Sequence, residues 1–359
     1  MRICLVIEAF AGGAGRHVID LAGRLKACGH EVHLIYSPSR PDANVVSELA
    51  GLSIDSQTVL SMRRAPGPWD IPALFRLWRT LRRLGPFDII HAHCSKAGAL
   101  TRLAGLFLSG KIVYTPHGFG SMEMAFSVPV RKTYAVIERF LAPLARAIVV
   151  LSSVERDHAR SIGLPMARVH VAPNGLRTMI LPNRAVVLAE LDLNEDDVCA
   201  GFIGRMVPAK DPQMAIRAFA AAASRVPNLK LALIGEGDLL DEVRAIAERE
   251  GVADRVLWLG ARSGRELMPA FDMFLLSSRN EGFPYVLLEA LDAGLPIVTT
   301  DVGGVAETVT DGSNGFVATD AAGLAESMVR LAQDASLRCS MTSRSKEKSA
   351  EFTLDVLVE

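Results

Sequence analysis

The chain has 359 residues and a formal charge of −1; half of its residues are apolar and 22% are charged. That composition suits about two packed domains and excludes disordered, collagenous and fibrous classes. The near-neutral total hides an asymmetry, because residues 1–180 carry 22 Lys and Arg against 12 Asp and Glu, whereas residues 181–359 carry 17 against 28. All eight histidines fall in the first part. Two domains facing each other across a cleft use such a split, and a single uniform domain does not need it. Cys4, Cys28, Cys94, Cys199 and Cys339 form no C-x-x-C pair. They argue against a disulfide framework or a structural zinc site and for a reducing, cytoplasmic setting. The first apolar run, 3–7, is too short for a secretory signal and stops at Glu8. No stretch approaches the roughly 20 apolar residues of a membrane span.

Taken in chain order, β-branched runs at 2–7, 31–36, 87–91, 111–115 and 147–151 read as strands, followed after a break by 198–204, 230–234, 255–259, 273–276 and 296–300. Between them, segments such as 16–27, 96–107, 131–145, 211–224 and 238–250 repeat apolar residues at i, i+3 and i+4. Nearly continuous apolar strands separated by helices imply parallel sheets covered on both faces. The expectation is an α/β protein of two doubly wound, Rossmann-like domains. The boundary is expected in the Pro- and Asn-rich stretch 172–184, giving domains at 1–178 and 179–345. The polar tail 346–359 is a candidate to pack back on the first domain.

Within the first domain, Gly12, Gly13 and Gly15 follow the first strand and precede a helix expected to start near Arg16. Such a loop admits a phosphate or sugar close to the backbone. It is not a dinucleotide fingerprint, because the third glycine and the acid ending the second strand are both missing. The segment 63–83 is basic, with Arg63, Arg64, Arg76, Arg79, Arg82 and Arg83 interleaved with Trp69, Phe75, Leu77, Trp78 and Leu81. Its helical part, 71–84, is expected either to expose a solvated basic face or to lie against an anionic membrane surface. No nucleic-acid-binding motif accompanies the charge, so nucleic acid is not expected as a partner.

The most informative stretch is RNEGFPYVLLEALDAGLPIVTT at 279–300. Pro284 suits the first position of a helix over 284–292, which Gly294 closes before the next strand. A loop entering a helix at the carboxyl end of a parallel strand is where open α/β sheets bind ligands. The amides of Tyr285 and Val286 would point outward at the positive helix pole, an anion site. Glu281 and Glu289, eight residues apart, flank that site and are too far separated to act as one acid–base dyad. They are better suited to holding hydroxyls on either side of a central phosphate. Arg205, at the edge of a strand, and Lys210, just before a helix, supply two cations for a diphosphate. Gly235 and Gly237 give backbone room beside them.

EGFPYVLLE resembles the E-x7-E signature of the retaining glycosyltransferases of family 4, which have the GT-B fold. FAGGAGRH after the first strand, HAH at 91–93, TPHG at 115–118, VAPNG at 171–175, GRMVPAKD at 204–211 and IGEGD at 234–238 extend the resemblance along the chain. The resemblance implies transfer of a sugar from a nucleotide-diphosphate donor, most often UDP, to a hydroxyl of a glycan or lipid-linked acceptor. It places Glu289 on the ribose, Glu281 on the donor sugar, Arg205 and Lys210 on the diphosphate, and Phe283 and Pro284 in the same donor loop. It also places His117 against the transferred sugar, with no metal and no cofactor beyond the donor. His93, His17 and Ser95 are weaker candidates for the acceptor side. A nucleotide-sugar epimerase or phosphorylase of the same fold, and a non-catalytic membrane-associated partner, are the alternatives.

Overall fold

The computed structural model describes residues 1–38, 43–63 and 65–358. The chain forms two compact units, Met1–Arg177 with Leu354–Glu359, and Thr178–Thr353.

The first unit is built on β1 (Arg2–Ile7), β2 (Glu31–Tyr36), β3 (Ser56–Val59), β4 (Ile89–His93), β5 (Lys111–Thr115), β6 (Ala147–Val150) and β7 (Val169–Val171). They pair in the order β3-β2-β1-β4-β5-β6-β7, all parallel. The alternation of side chains along β1 explains why its sequence is apolar throughout. Cys4 and Val6 pack with Leu77 and Leu81 of the helix Asp70–Leu84 on one face. Ile3, Leu5 and Ile7 pack with Val18, Ile19 and Ala22 of the helix Gly12–Ala27 on the other. The last helix, Leu354–Val358, belongs to this unit, where Leu357 and Val358 pack on the second of these clusters and Asp355 pairs with Arg24.

The second unit carries β8 (Val198–Ile203), β9 (Leu229–Ile234), β10 (Val256–Trp258), β11 (Met273–Leu276), β12 (Ile297–Thr300) and β13 (Gly315–Ala318). Their order is β10-β9-β8-β11-β12-β13, again all parallel. Each sheet starts centrally, winds outward to one edge, then returns to the other side of its first strand. The order therefore reverses between β1 and β4 in the first unit and between β8 and β11 in the second. Loops leaving the carboxyl ends of strands diverge at such a reversal and open a crevice for ligands.

Ten of these strands coincide with apolar runs legible in the sequence; β3, β7 and β13 do not. β3 alternates half-buried and exposed residues in SQTV, β7 is three residues long, and β13 opens on a glycine. Two helix starts also differ from expectation. Gly12 and Gly13 are not a loop before the helix but its first residues, since the helix begins at Gly12 rather than near Arg16. Pro284 is the N-cap of the helix Tyr285–Asp292 rather than its first residue, with extended backbone at φ −74 and ψ 126. A proline fits either place, because neither needs its missing N–H.

Candidate functional sites at the two strand-order reversals

In the second unit, the segment leaving β8 is held on three sides. Met206 N–H donates to Glu236 O at 2.8 Å and Leu239 N–H to Met206 O at 3.0 Å, tying residues 204–206 to the turn after β9. That turn must be glycine-rich. Gly235 and Gly237 have φ of +135 and +151, and a Cβ on them would collide with Gly204 O and Met206 O. Arg205 is thereby carried, exposed, at the carboxyl end of β8. Further along, Arg279 N–H donates to Ala209 O at 2.9 Å, and the Ser277 hydroxyl donates to Asp211 O at 2.8 Å, so the loop is sewn to the end of β11. Asp211, in left-handed backbone at φ +44, caps the helix Pro212–Ala223 and also accepts from Arg279 Nε at 2.6 Å.

This scaffold fixes Lys210. Its Nζ donates to Glu281 Oε1 at 2.5 Å, and the Ser278 hydroxyl donates to the same oxygen at 2.6 Å. Both bonds fall on Oε1. Lys210 keeps two further N–H donors. Glu281 and Gly282 are pressed from behind by Gly303, where a Cβ would collide with both of their carbonyl oxygens. Thr300, at the end of β12, donates from its hydroxyl to Ser278 O at 2.6 Å. The helix Tyr285–Asp292 opens four residues after Glu281, with Glu289 half-buried in its second turn. Tyr285 and Val286 head that helix. Phe283 and Pro284 are buried beneath the loop, with the Phe283 ring 5.9 Å from that of Phe352. Thus Lys210 and Glu281, 71 residues apart, are in direct contact. Arg205 and Glu289 stand on the flanking loop and helix.

In the first unit, a histidine cluster occupies the corresponding reversal. His91 and His93 lie on one face of β4 with ring centroids 4.1 Å apart. His117 follows β5 in left-handed backbone at φ +53, and its Nε2 lies 3.1 Å from His93 Nδ1. His17, from the helix Gly12–Ala27, stands edge-on to His117 at 4.8 Å between centroids. Its Nδ1 donates to Asn174 Oδ1 at 2.9 Å, and His91 Nε2 pairs with the Thr115 hydroxyl at 2.8 Å. The loop carrying His117 is held by Glu155, which is fully buried and accepts from Gly118 N–H at 2.7 Å and Leu151 N–H at 2.9 Å. Gly12 and Gly13 are exposed in the first turn of the helix that carries His17. Asn174, Glu155 and Ser278 are site-forming residues that sequence patterns did not single out; Asn174 and Glu155 act through partners distant in the chain, and Ser278 through Glu281 three residues on.

Burial pushes the histidines of this cluster toward the neutral form. His17 is lowered to about 4 by burial, against its hydrogen bond to Asn174, which works the other way. His91 is lowered to about 3 by burial and then by His17. His93 and His117 are driven well below the usual range by burial and then by neighbouring imidazoles. The unfolded chain, with ordinary histidines, binds more protons than the folded one as pH falls below about 6.5. Stability of the first unit is therefore full above that pH and lost progressively toward pH 4, with His17 alone contributing about 3 kcal/mol. Thermal melts of wild type and His17→Gln between pH 7.5 and 4.5 should show a flatter acid limb in the variant; parallel limbs would count against it.

Two parallel-sheet, Rossmann-like domains are the architecture of the GT-B fold of glycosyltransferases. Family models match both halves of the chain: Glycosyltransferase Family 4 over residues 11–179 and Glycosyl transferases group 1 over residues 184–348. The chain belongs to glycosyltransferase family 4. It is 25% identical over 359 residues to the N-acetyl-alpha-D-glucosaminyl L-malate synthase of Bacillus anthracis, covering 98% of this chain and 92% of that one. It is 27% identical over 266 residues to the UDP-Gal:alpha-D-GlcNAc-diphosphoundecaprenol alpha-1,3-galactosyltransferase of Escherichia coli, covering 69% and 66%. Its fold is similar to that of Anabaena HepE in complex with UDP and glucose, with a TM-score of 0.85, 22% identity, and 100% and 97% of the chains covered.

Proposed function

We propose that the protein is a retaining glycosyltransferase that moves a sugar from a UDP-sugar to a hydroxyl of a glycan or lipid-linked acceptor in bacterial exopolysaccharide, capsule or lipopolysaccharide synthesis. The observation that carries the reading is the Lys210–Glu281 contact at 2.5 Å, beside the opening turn of the helix Tyr285–Asp292. A cation, an acid and an anion-binding helix pole at one strand-order reversal suit a diphosphate with a sugar attached. The Escherichia coli relative is named for a UDP-sugar donor and a diphospholipid acceptor, which supports the substrate classes.

In this reading Lys210, Arg205 and the Tyr285 and Val286 amides bind the diphosphate. Glu281 orients hydroxyls of the donor sugar, Glu289 accepts from the ribose, and Gly235 and Gly237 make room beside the nucleotide. His117 contacts the transferred sugar. The acceptor hydroxyl attacks the anomeric carbon on the face the diphosphate leaves. The carbon–oxygen bond to phosphate breaks, and the acceptor's proton passes to the departing phosphate oxygen. Charge developing on the diphosphate is stabilised by fixed cations and amides, so turnover requires no metal.

The basic helix Asp70–Leu84 buries Ala73, Leu77 and Leu81 in the core and exposes Ile71 and Phe75 among Arg76, Arg79, Arg82 and Arg83. Arg64 lies outside the described residues. That mixed face suits contact with an anionic membrane. No helix among the described residues is long and apolar enough to cross one.

A thermal-shift panel of nucleotide sugars identifies the donor. Nuclear magnetic resonance of the product should show the donor's anomeric configuration, and the rate in excess EDTA should be no lower than that without it. An inverted anomer, or dependence on Mg²⁺ or Mn²⁺, would overturn the respective claim.

A further inference from the structure

We propose that His17, His93 and His117 form a binding site for one divalent transition ion of the zinc class, with a fourth coordination position left open. Among the described residues these three offer ligand nitrogens that all lie within 4.8 Å of one another. Nitrogens around a tetrahedral zinc ion, each bonded at about 2.0–2.1 Å, sit roughly 3.3 Å apart. The His93–His117 pair is already at 3.1 Å, so it is His17 that has to close in.

The surroundings favour metal ligation over a closed hydrogen-bond network. His17 is oriented from outside the cluster by Asn174, which takes the Nδ1 proton and leaves the Nε2 lone pair for an ion. An outer partner of that kind fixes the tautomer of a ligating histidine. His93 is fully buried, yet its Nε2 has no hydrogen-bond partner among the described residues. Its other nitrogen, Nδ1, faces His117 Nε2 at 3.1 Å and is the one that would take the ion. His117 is only partly buried, which gives the ion a way in and the open position a place to face. His91 stands outside the three, with its Nε2 paired to the Thr115 hydroxyl. Three imidazoles with no carboxylate among them select zinc, cobalt, nickel or copper over magnesium and calcium.

The site goes beyond the transferase reading and is opposed to it in one respect. An ion on His117 removes the lone pair that would meet the sugar, so it acts as an inhibitor and not as a cofactor. Binding is tested without any donor, which keeps the two ideas separable. Untagged, metal-stripped full-length protein is titrated with Co²⁺ and then Zn²⁺. One equivalent of Co²⁺ should bind with the intense visible bands of a tetrahedral nitrogen site, and Zn²⁺ should bleach them. His17→Gln and His117→Ala should each abolish the bands while circular dichroism stays native. Asn174→Ala should weaken binding by about 10- to 100-fold, and His170→Gln, on the exposed strand β7, should leave it unchanged. Lack of tetrahedral bands in the wild type, or bands that survive in a natively folded His117→Ala, would overturn the assignment.

Discussion

Lys210→Ala lowers kcat/KM for the nucleotide-sugar donor by about 100- to 1,000-fold, on the order of 3–4 kcal/mol, with most of the loss in kcat. Two consequences of the geometry combine in that figure. Lys210 holds Glu281 at 2.5 Å and has two N–H donors to spare, so its removal takes a cation from the diphosphate and a partner from the acid together. Glu281 is then left with the Ser278 hydroxyl as its remaining partner on Oε1. Arg205→Ala should cost less, about tenfold, because Arg205 is exposed and solvent screens part of its effect. Glu281→Gln keeps both donors to Oε1 and loses only charge, so it should reduce turnover more than donor affinity. Steady-state kinetics with donor as the varied substrate separates these outcomes. A doubly substituted Arg205→Ala, Lys210→Ala enzyme with near-normal kcat/KM removes the diphosphate assignment.

The unequal legibility of this chain follows from which interactions are local. Strands buried on both faces, such as β1 and β8, announce themselves as apolar runs. The edge strand β3 was missed because SQTV reads as a polar turn until Leu34 and Ile35 of β2 pair with it. Gly12 and Gly13 look like a loop, and Gly12 keeps left-handed backbone at φ +55 where it opens the helix; packing of Val18, Ile19 and Ala22 against β1 holds the helix that follows. At the sites, Lys210 and Glu281 could each be picked out from strand-end and helix-start patterns. Their contact could not, since it depends on Arg279 and Ser277 drawing residues 209–211 against β11. The histidine cluster shows the same limit. His93 and His117 are marked by the ends of β4 and β5. Membership of His17 depends on the rotation of a helix and on an asparagine 157 residues away.

The largest stability loss expected from a single change lies away from both sites, at Arg102. This guanidinium is wholly buried, donates to Glu138 Oε2 at 2.8 Å and to Gly98 O at 2.9 Å, and lies 4.1 Å from the Tyr114 ring centroid. Tyr114 completes the group by donating its hydroxyl to Glu138 Oε1 at 2.8 Å. Arg102→Met removes one charge and leaves the other buried with only a phenol for company, which costs about 3–5 kcal/mol. For a unit of this size that lowers its melting transition by roughly 10 °C. Replacing both charges and the phenol hydroxyl, as Arg102→Met, Glu138→Leu, Tyr114→Phe, should restore most of the loss, because an apolar group of similar volume carries no desolvation penalty. Calorimetry of the single and triple variants decides the matter. A single variant within 1 kcal/mol of wild type would mean that water reaches Glu138 and that the pair behaves as a surface bridge.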